Sequence, residues 1–117
     1  MKTTDTSAFL NSLGVIIPPY DEFLKLGDMT ALHVDNDGQY HRVQYERGMI
    51  LYGIIAKYRP KAVLDFGTGR GFGCLCMAWA MEDCEIPGKI FTLDYTTHEK
   101  LREWSIQRDS NGKPTTE

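Results

Sequence analysis

The chain has no run of basic residues. Its 13 Lys and Arg are scattered singly against 16 Asp and Glu, giving a net charge of −3. Duplex affinity rests largely on phosphate neutralisation, so no nucleic-acid partner is expected. Long apolar runs are missing too. The longest, Met49 to Ala56, is interrupted by Gly53 and falls far short of a bilayer span. The opening residues, Met1-Lys2-Thr3-Thr4-Asp5, lack the apolar centre of a signal peptide, and no membrane partner is expected. Cysteine is scarce and odd in number, at Cys74, Cys76 and Cys84. A disulfide framework needs pairs, so reduced thiols in a cytoplasmic protein are expected. Neither an internal repeat nor a low-complexity linker is present. With 117 residues, 42% of them hydrophobic, the chain can build at most one small domain.

What stands out is one stretch, Val63-Leu64-Asp65-Phe66-Gly67-Thr68-Gly69-Arg70-Gly71-Phe72-Gly73. A short apolar run carries a carboxylate near its end, and four glycines follow at alternate positions. This predicts a buried parallel strand, a tight turn and a helix start. Glycine permits φ > 0 and leaves no Cβ between backbone and ligand. The helix that follows turns its free N–H groups and positive dipole end toward whatever sits above the turn. The pattern is that of a small-molecule cradle.

The other segments are read around it. Asp5 or Thr6 caps a short helix through Ala8, Phe9, Leu10 and Leu13, stopped by Gly14. Val15-Ile16-Ile17-Pro18-Pro19 is extended, because each proline disfavours helix in the residue before it. A short helix from Tyr20 to Leu26 is expected to end at Gly27. Leu32–Val34 and Tyr40–Val43 flank Asn36-Asp37-Gly38, a hairpin turn signal. A helix from about Gln44 to Tyr58 places Leu51, Ile55 and Tyr58 on one face, and Pro60 ends it. Then come a strand at Ala62–Phe66, the glycine turn, a helix at Phe72–Glu82 that is apolar nearly all round, and a strand at Lys89–Asp94. Both strands are apolar throughout, as in a parallel sheet covered on both faces. Thr96-Thr97-His98-Glu99 reads as a capping box opening a further helix that carries Leu101 and Trp104 inward. The tail from Asp109 is polar and expected to fray, and Trp79 and Trp104 are core candidates. The expected division is 1–43, helical and extended with a hairpin, and 44–117, the cofactor-binding part.

No metal site is expected. A calcium-loop register placing Gly38 at the required glycine puts His33 and Gln44 at the first and last ligand positions, where carboxylates belong. His33 and His41 can oppose each other across the hairpin, but no third ligand is evident. Cys74 and Cys76 point to different helix faces, which argues for packing.

Asp65-x-Gly67-x-Gly69-x-Gly71 resembles motif I of the class I S-adenosylmethionine-dependent methyltransferases. The dinucleotide fingerprint G-x-G-x-x-G fits poorly, since its last glycine falls on Phe72 or Cys74. A nicotinamide oxidoreductase is therefore disfavoured. The resemblance extends to Gly88-Lys89-Ile90-Phe91-Thr92-Leu93-Asp94-Tyr95, and it covers about Gln44 to Trp104. Asp94 lies 23 positions after Gly71, close to the roughly 20-residue spacing of nucleotide-binding βαβ units. The resemblance implies a Rossmann-like α/β fold with S-adenosylmethionine as cofactor. It implies cofactor contacts from Asp65, Gly67, Thr68, Gly69 and Gly71 on the turn, with Asp94 on the ribose hydroxyls and Tyr95 near the adenine. The segment Tyr45-Glu46-Arg47-Gly48 is similar to the lead-in of small-molecule O-methyltransferase-like members, which implies a small-molecule methyl acceptor.

The chain departs from that family in length. A complete catalytic domain has further strands, which supply the substrate pocket, so an incomplete fold is expected and no general base is assigned. Pro18-Pro19-Tyr20 is similar to the end of an amino-methyltransferase motif, but Ile17 replaces the polar residue that would bind the amine. A Pro-Pro extended entry is the plainer reading. The alternative to catalysis is a module of the same origin that binds S-adenosyl ligands, or acts by assembly. An incomplete sheet leaves an open apolar edge at Ala62–Phe66, so a homodimer through that edge, or aggregation, is expected.

Overall fold

A carboxylate starts the first helix. Asp5 accepts a hydrogen bond from the Ala8 N–H at 3.2 Å, and α1 (Thr6–Ser12) follows, with Leu13 as its C-cap. The structure is a computed structural model, and it describes residues 3–30, 33–34, 40–41, 44–69, 71–94, 107–108 and 114–115. Among these residues the chain is a mixed α/β unit with four helices and a two-stranded parallel sheet.

Helix α2 (Tyr20–Thr30) runs past the expected stop at Gly27. The reason is tertiary. The Tyr45 ring lies where a Gly27 Cβ would stand, at 2.6 Å from its Cε1, so this glycine serves close packing inside a helix. Strands β1 (His33–Val34) and β2 (Tyr40–His41) pair antiparallel with His33 opposite His41, forming the expected hairpin. The Asn36-Asp37-Gly38 turn lies outside the described residues.

Helix α3 (Tyr45–Tyr58) starts at Gln44 and ends on a left-handed Arg59 (φ 49°), with Pro60 after it. Its buried stripe is Tyr45, Gly48, Tyr52 and Ile55, a three- and four-residue spacing. Tyr58 is not part of it, being 66% exposed. The expected Leu51–Ile55–Tyr58 face is off by a fraction of a turn, because the aromatic residues of α2 and α4 pack against Tyr52.

Strand β3 (Ala62–Phe66), helix α4 (Phe72–Asp83) and strand β4 (Lys89–Leu93) follow, and β3 pairs parallel with β4 from Ala62↔Lys89 to Phe66↔Leu93. The short strands β5 (Gln107–Arg108) and β6 (Pro114–Thr115) pair antiparallel, so at 114–115 the tail is paired rather than frayed. The helix expected from Thr96, with Leu101 and Trp104, lies outside the described residues.

The core joins α2, α3 and α4. Phe23, Tyr52 and Trp79 pack on one another with ring centroids 5.0 to 6.0 Å apart. Leu26, Ile55, Met77, Ala80 and Met81 are buried around them. A second aromatic line runs from Tyr20 to Tyr45 (5.8 Å) and on to Phe72 (6.2 Å), tying α2 to the start of α4. Helices α3 and α4 come close at Gly48, where a Cβ would lie 2.7 Å from the Phe72 ring and 2.9 Å from Cys76 Sγ. Gly73 likewise faces Leu51 of α3, at 3.2 Å from a would-be Cβ. It serves helix–helix packing.

Among the described residues the sheet is covered on one side only. Val63 and Ile90 pack on the helical core, and register and alternation put Asp65 and Thr92 on the same face. The opposite face carries Leu64, Phe66, Phe91 and Leu93, which are 56%, 73%, 56% and 53% exposed. Continuous apolarity along both strands predicted cover on both faces. Helices α3 and α4 supply one layer, and the second is absent among the described residues.

Candidate functional site at the strand ends

The carboxyl ends of β3 and β4 meet the glycine turn. The sheet ladder continues one step past the strands, with the Gly67 N–H donating to the Leu93 carbonyl at 2.7 Å. The chain then enters left-handed territory at Gly67 (φ 88°), Gly69 (φ 55°) and Gly71 (φ 90°). Such angles are costly for any residue with a Cβ, which is why glycine recurs at alternate positions. The Gly71 N–H closes the turn onto the Thr68 carbonyl at 2.8 Å, and the Gly71 carbonyl accepts the first bond of α4, from the Leu75 N–H at 2.8 Å.

Gly71 is the N-cap of α4 and offers no side-chain acceptor to the first-turn amides. These N–H groups have no partner within the helix and carry the positive end of its dipole. A Cβ built on Gly67 or Gly69 would meet nothing within 4 Å. At these two positions the turn is therefore not a packing device. It is backbone bordering open space.

Two carboxylates flank it. Asp65, half-buried on the inner face of β3, accepts from the Thr92 hydroxyl at 3.0 Å. With that proton engaged, the Thr68 hydroxyl is the donor to Thr92 Oγ1, at 2.5 Å. The result is a short chain from turn to strand to carboxylate. Asp94, just past β4, accepts from the Gly69 N–H through Oδ2 at 2.6 Å. Charge-assisted bonds of this kind are shorter and stronger than neutral ones. Cys74, in the first turn of α4, has its thiol pKa pushed up by burial and by the nearby Asp65 charge. A raised pKa keeps it protonated, unlike a nucleophilic thiol.

The structure thus brings Asp65, Gly67, Thr68, Gly69, Gly71 and Asp94 together at one end of the sheet. Tyr95 lies outside the described residues, as does Arg70. Sequence reading missed Thr92. Its signal was register: in a parallel pair that starts together, Thr92 stands directly opposite Asp65. No group of three or more potential metal ligands occurs among the described residues. None of the helices among them is long and apolar enough to cross a membrane.

The donor set fits an S-adenosyl ligand in type. Two carboxylates suit an ammonium and vicinal hydroxyls, the helix amides suit a carboxylate, and the space over Gly67 and Gly69 is open to them. Comparison of the chain with family models, with curated proteins and with solved structures gives no match.

Proposed function

We propose that this chain binds S-adenosylmethionine at the Gly67–Gly71 turn and supplies the cofactor-binding part of a methyl transfer to a small molecule. The observation that carries the reading is the turn itself: three left-handed glycines, two of which, Gly67 and Gly69, border open space, between two carboxylates, at a helix N-terminus. In this reading the unit is Rossmann-like and an incomplete methyltransferase fold. Asp65 faces the ligand's ammonium, the α4 amides its carboxylate, and Asp94 the ribose hydroxyls. Tyr95 is assigned to the adenine side on resemblance alone. Thr68 and Thr92 hold Asp65 in place. The cofactor would supply an electrophilic sulfonium methyl, and the chain's own task is alignment. No residue is assigned as general base. The free cysteines support a reducing, cytoplasmic setting.

Calorimetric titration with S-adenosylhomocysteine tests this. Micromolar binding is expected. The informative control is Asp94→Asn, which keeps an oxygen for the Gly69 N–H while removing the charge and one acceptor. Binding that falls in the variant, with helix content unchanged by circular dichroism, supports the reading. No binding to the folded wild-type chain overturns it.

The uncovered face of the sheet favours a second reading, a non-catalytic module that acts by assembly. Methyl transfer that appears only when a second polypeptide is added separates a divided enzyme from an inert module.

A further inference from the structure

We infer that the outer face of the β3–β4 sheet is the interface of a symmetric dimer with a second copy of this chain. Parallel sheets are found with both faces covered, because their strands are apolar on both sides. Here one face is left with four large side chains, Leu64, Phe66, Phe91 and Leu93, each more than half exposed. They form one patch, since Leu64 is paired with Phe91 and Phe66 with Leu93 across the sheet.

Area and charge select the occupant. Four such side chains expose on the order of 500 Å² per copy, so two copies bury about 1,000 Å², the lower bound of a specific interface. By strand alternation the face carries Ala62, Leu64, Phe66, Lys89, Phe91 and Leu93, with no carboxylate among them. A second copy can cover it without stranding a buried negative charge, and Lys89 at the rim can extend its amine to water. The ends of the sheet are also self-complementary. Lys61 immediately precedes β3, Lys89 opens β4, and Asp94 follows the end of β4. A two-fold axis lying between the faces and perpendicular to the strands sets the basic end of one copy over the acidic end of the other. Attention to the strand edge alone would predict pairing by added strands. The exposed side chains point to the face.

The test is sedimentation and light scattering of the wild-type chain and of the Phe66→Lys/Phe91→Lys variant. Both positions are solvent-exposed, so the variant retains its core. Circular dichroism checks this. The wild type is expected to give twice the chain mass at tens of micromolar. The variant is expected to dissociate at concentrations roughly tenfold higher or more. A single-chain mass for the wild type overturns the inference, whether or not the face then captures lipid or another protein. Open-ended aggregates overturn it as well. A dimer that persists in the folded double variant also overturns it, by placing the interface elsewhere.

Discussion

Gly48 and Gly69 lack the same Cβ for opposite reasons. At Gly48 the missing atom is a matter of space, because the Phe72 ring and Cys76 Sγ of α4 occupy where it would stand. At Gly69, as at Gly67, nothing lies within 4 Å of the missing atom, and the demand is a left-handed backbone. One glycine closes a helix interface, the other keeps a turn bare. The contrast separates the part of the molecule that holds the fold together from the part that faces a ligand. It also predicts that substitutions in the two places fail differently.

The largest effect belongs to the packed side. Trp79 is buried against both Phe23 and Tyr52. Trp79→Ala is expected to cost about 3–5 kcal/mol, a large share of a small domain's stability, read as a fall in urea midpoint. A loss under about 1 kcal/mol would mean that the aromatic cluster is not the core. Gly48→Val comes next. Overpacking of the α3–α4 contact is expected to cost about 1–3 kcal/mol, with the ligand site altered only through the fold.

Gly69→Ala tests the other side. Holding alanine at φ 55° costs about 1–2 kcal/mol, with no clash to add to it. Its signature is the ratio of the two losses. Affinity for S-adenosylhomocysteine is expected to drop roughly tenfold or more, beyond what the loss of stability accounts for. If Gly48→Val and Gly69→Ala reduced binding in proportion to stability alone, the distinction between the two glycines would collapse.

The helix layer also sets a pH dependence. Cys76 is fully buried, and burial pushes its thiol from the ordinary 9 up to about 12. Tyr52 is likewise raised, by burial first and then by its 2.8 Å hydrogen bond to Asp83. Both groups fold as neutral species, so their folded values lie above their unfolded ones. The stability they contribute is complete below pH 9 and is lost as the pH climbs toward 12. Urea midpoints are therefore expected to fall across that window, and Cys76→Ala should flatten part of the fall. A profile equally steep in Cys76→Ala would assign the whole dependence to other groups.

Much of the second half was legible because its signals are local. The run Ala62–Phe66 is bounded by Pro60 and Gly67, and the strand starts at Ala62 and ends at Phe66. The alternate glycines announced a left-handed turn, and α4 follows at Phe72 as expected. What could not be read locally depended on a partner distant in the chain. Gly27 looked like a stop until Tyr45 is seen filling its missing side chain. The face that α3 buries was set by Trp79 and Phe23, not by its own hydrophobic pattern. Apolar strands implied two covering layers, and sequence could not say that only one is present among the described residues. Of the site, the carboxylates and glycines were visible as types and spacings. Their mutual bonds, Asp94 to the Gly69 N–H above all, were not.

Thr92 gives the smallest and sharpest test, because it joins the turn to the sheet without belonging to either signal. Thr92→Val keeps the shape and the β-branching that suit a strand, and removes only the hydroxyl that links Thr68 to Asp65. The position is exposed, so water replaces much of what is lost, and the expected stability cost is about 0.5 kcal/mol. The binding cost should be larger than the stability cost, since Asp65 loses the group that orients it while its charge stays. Thr92→Ser restores the hydroxyl and should restore affinity. If valine and serine bind S-adenosylhomocysteine equally well, the hydroxyl relay has no part in the site, and Asp65 is held by the backbone of β3 alone.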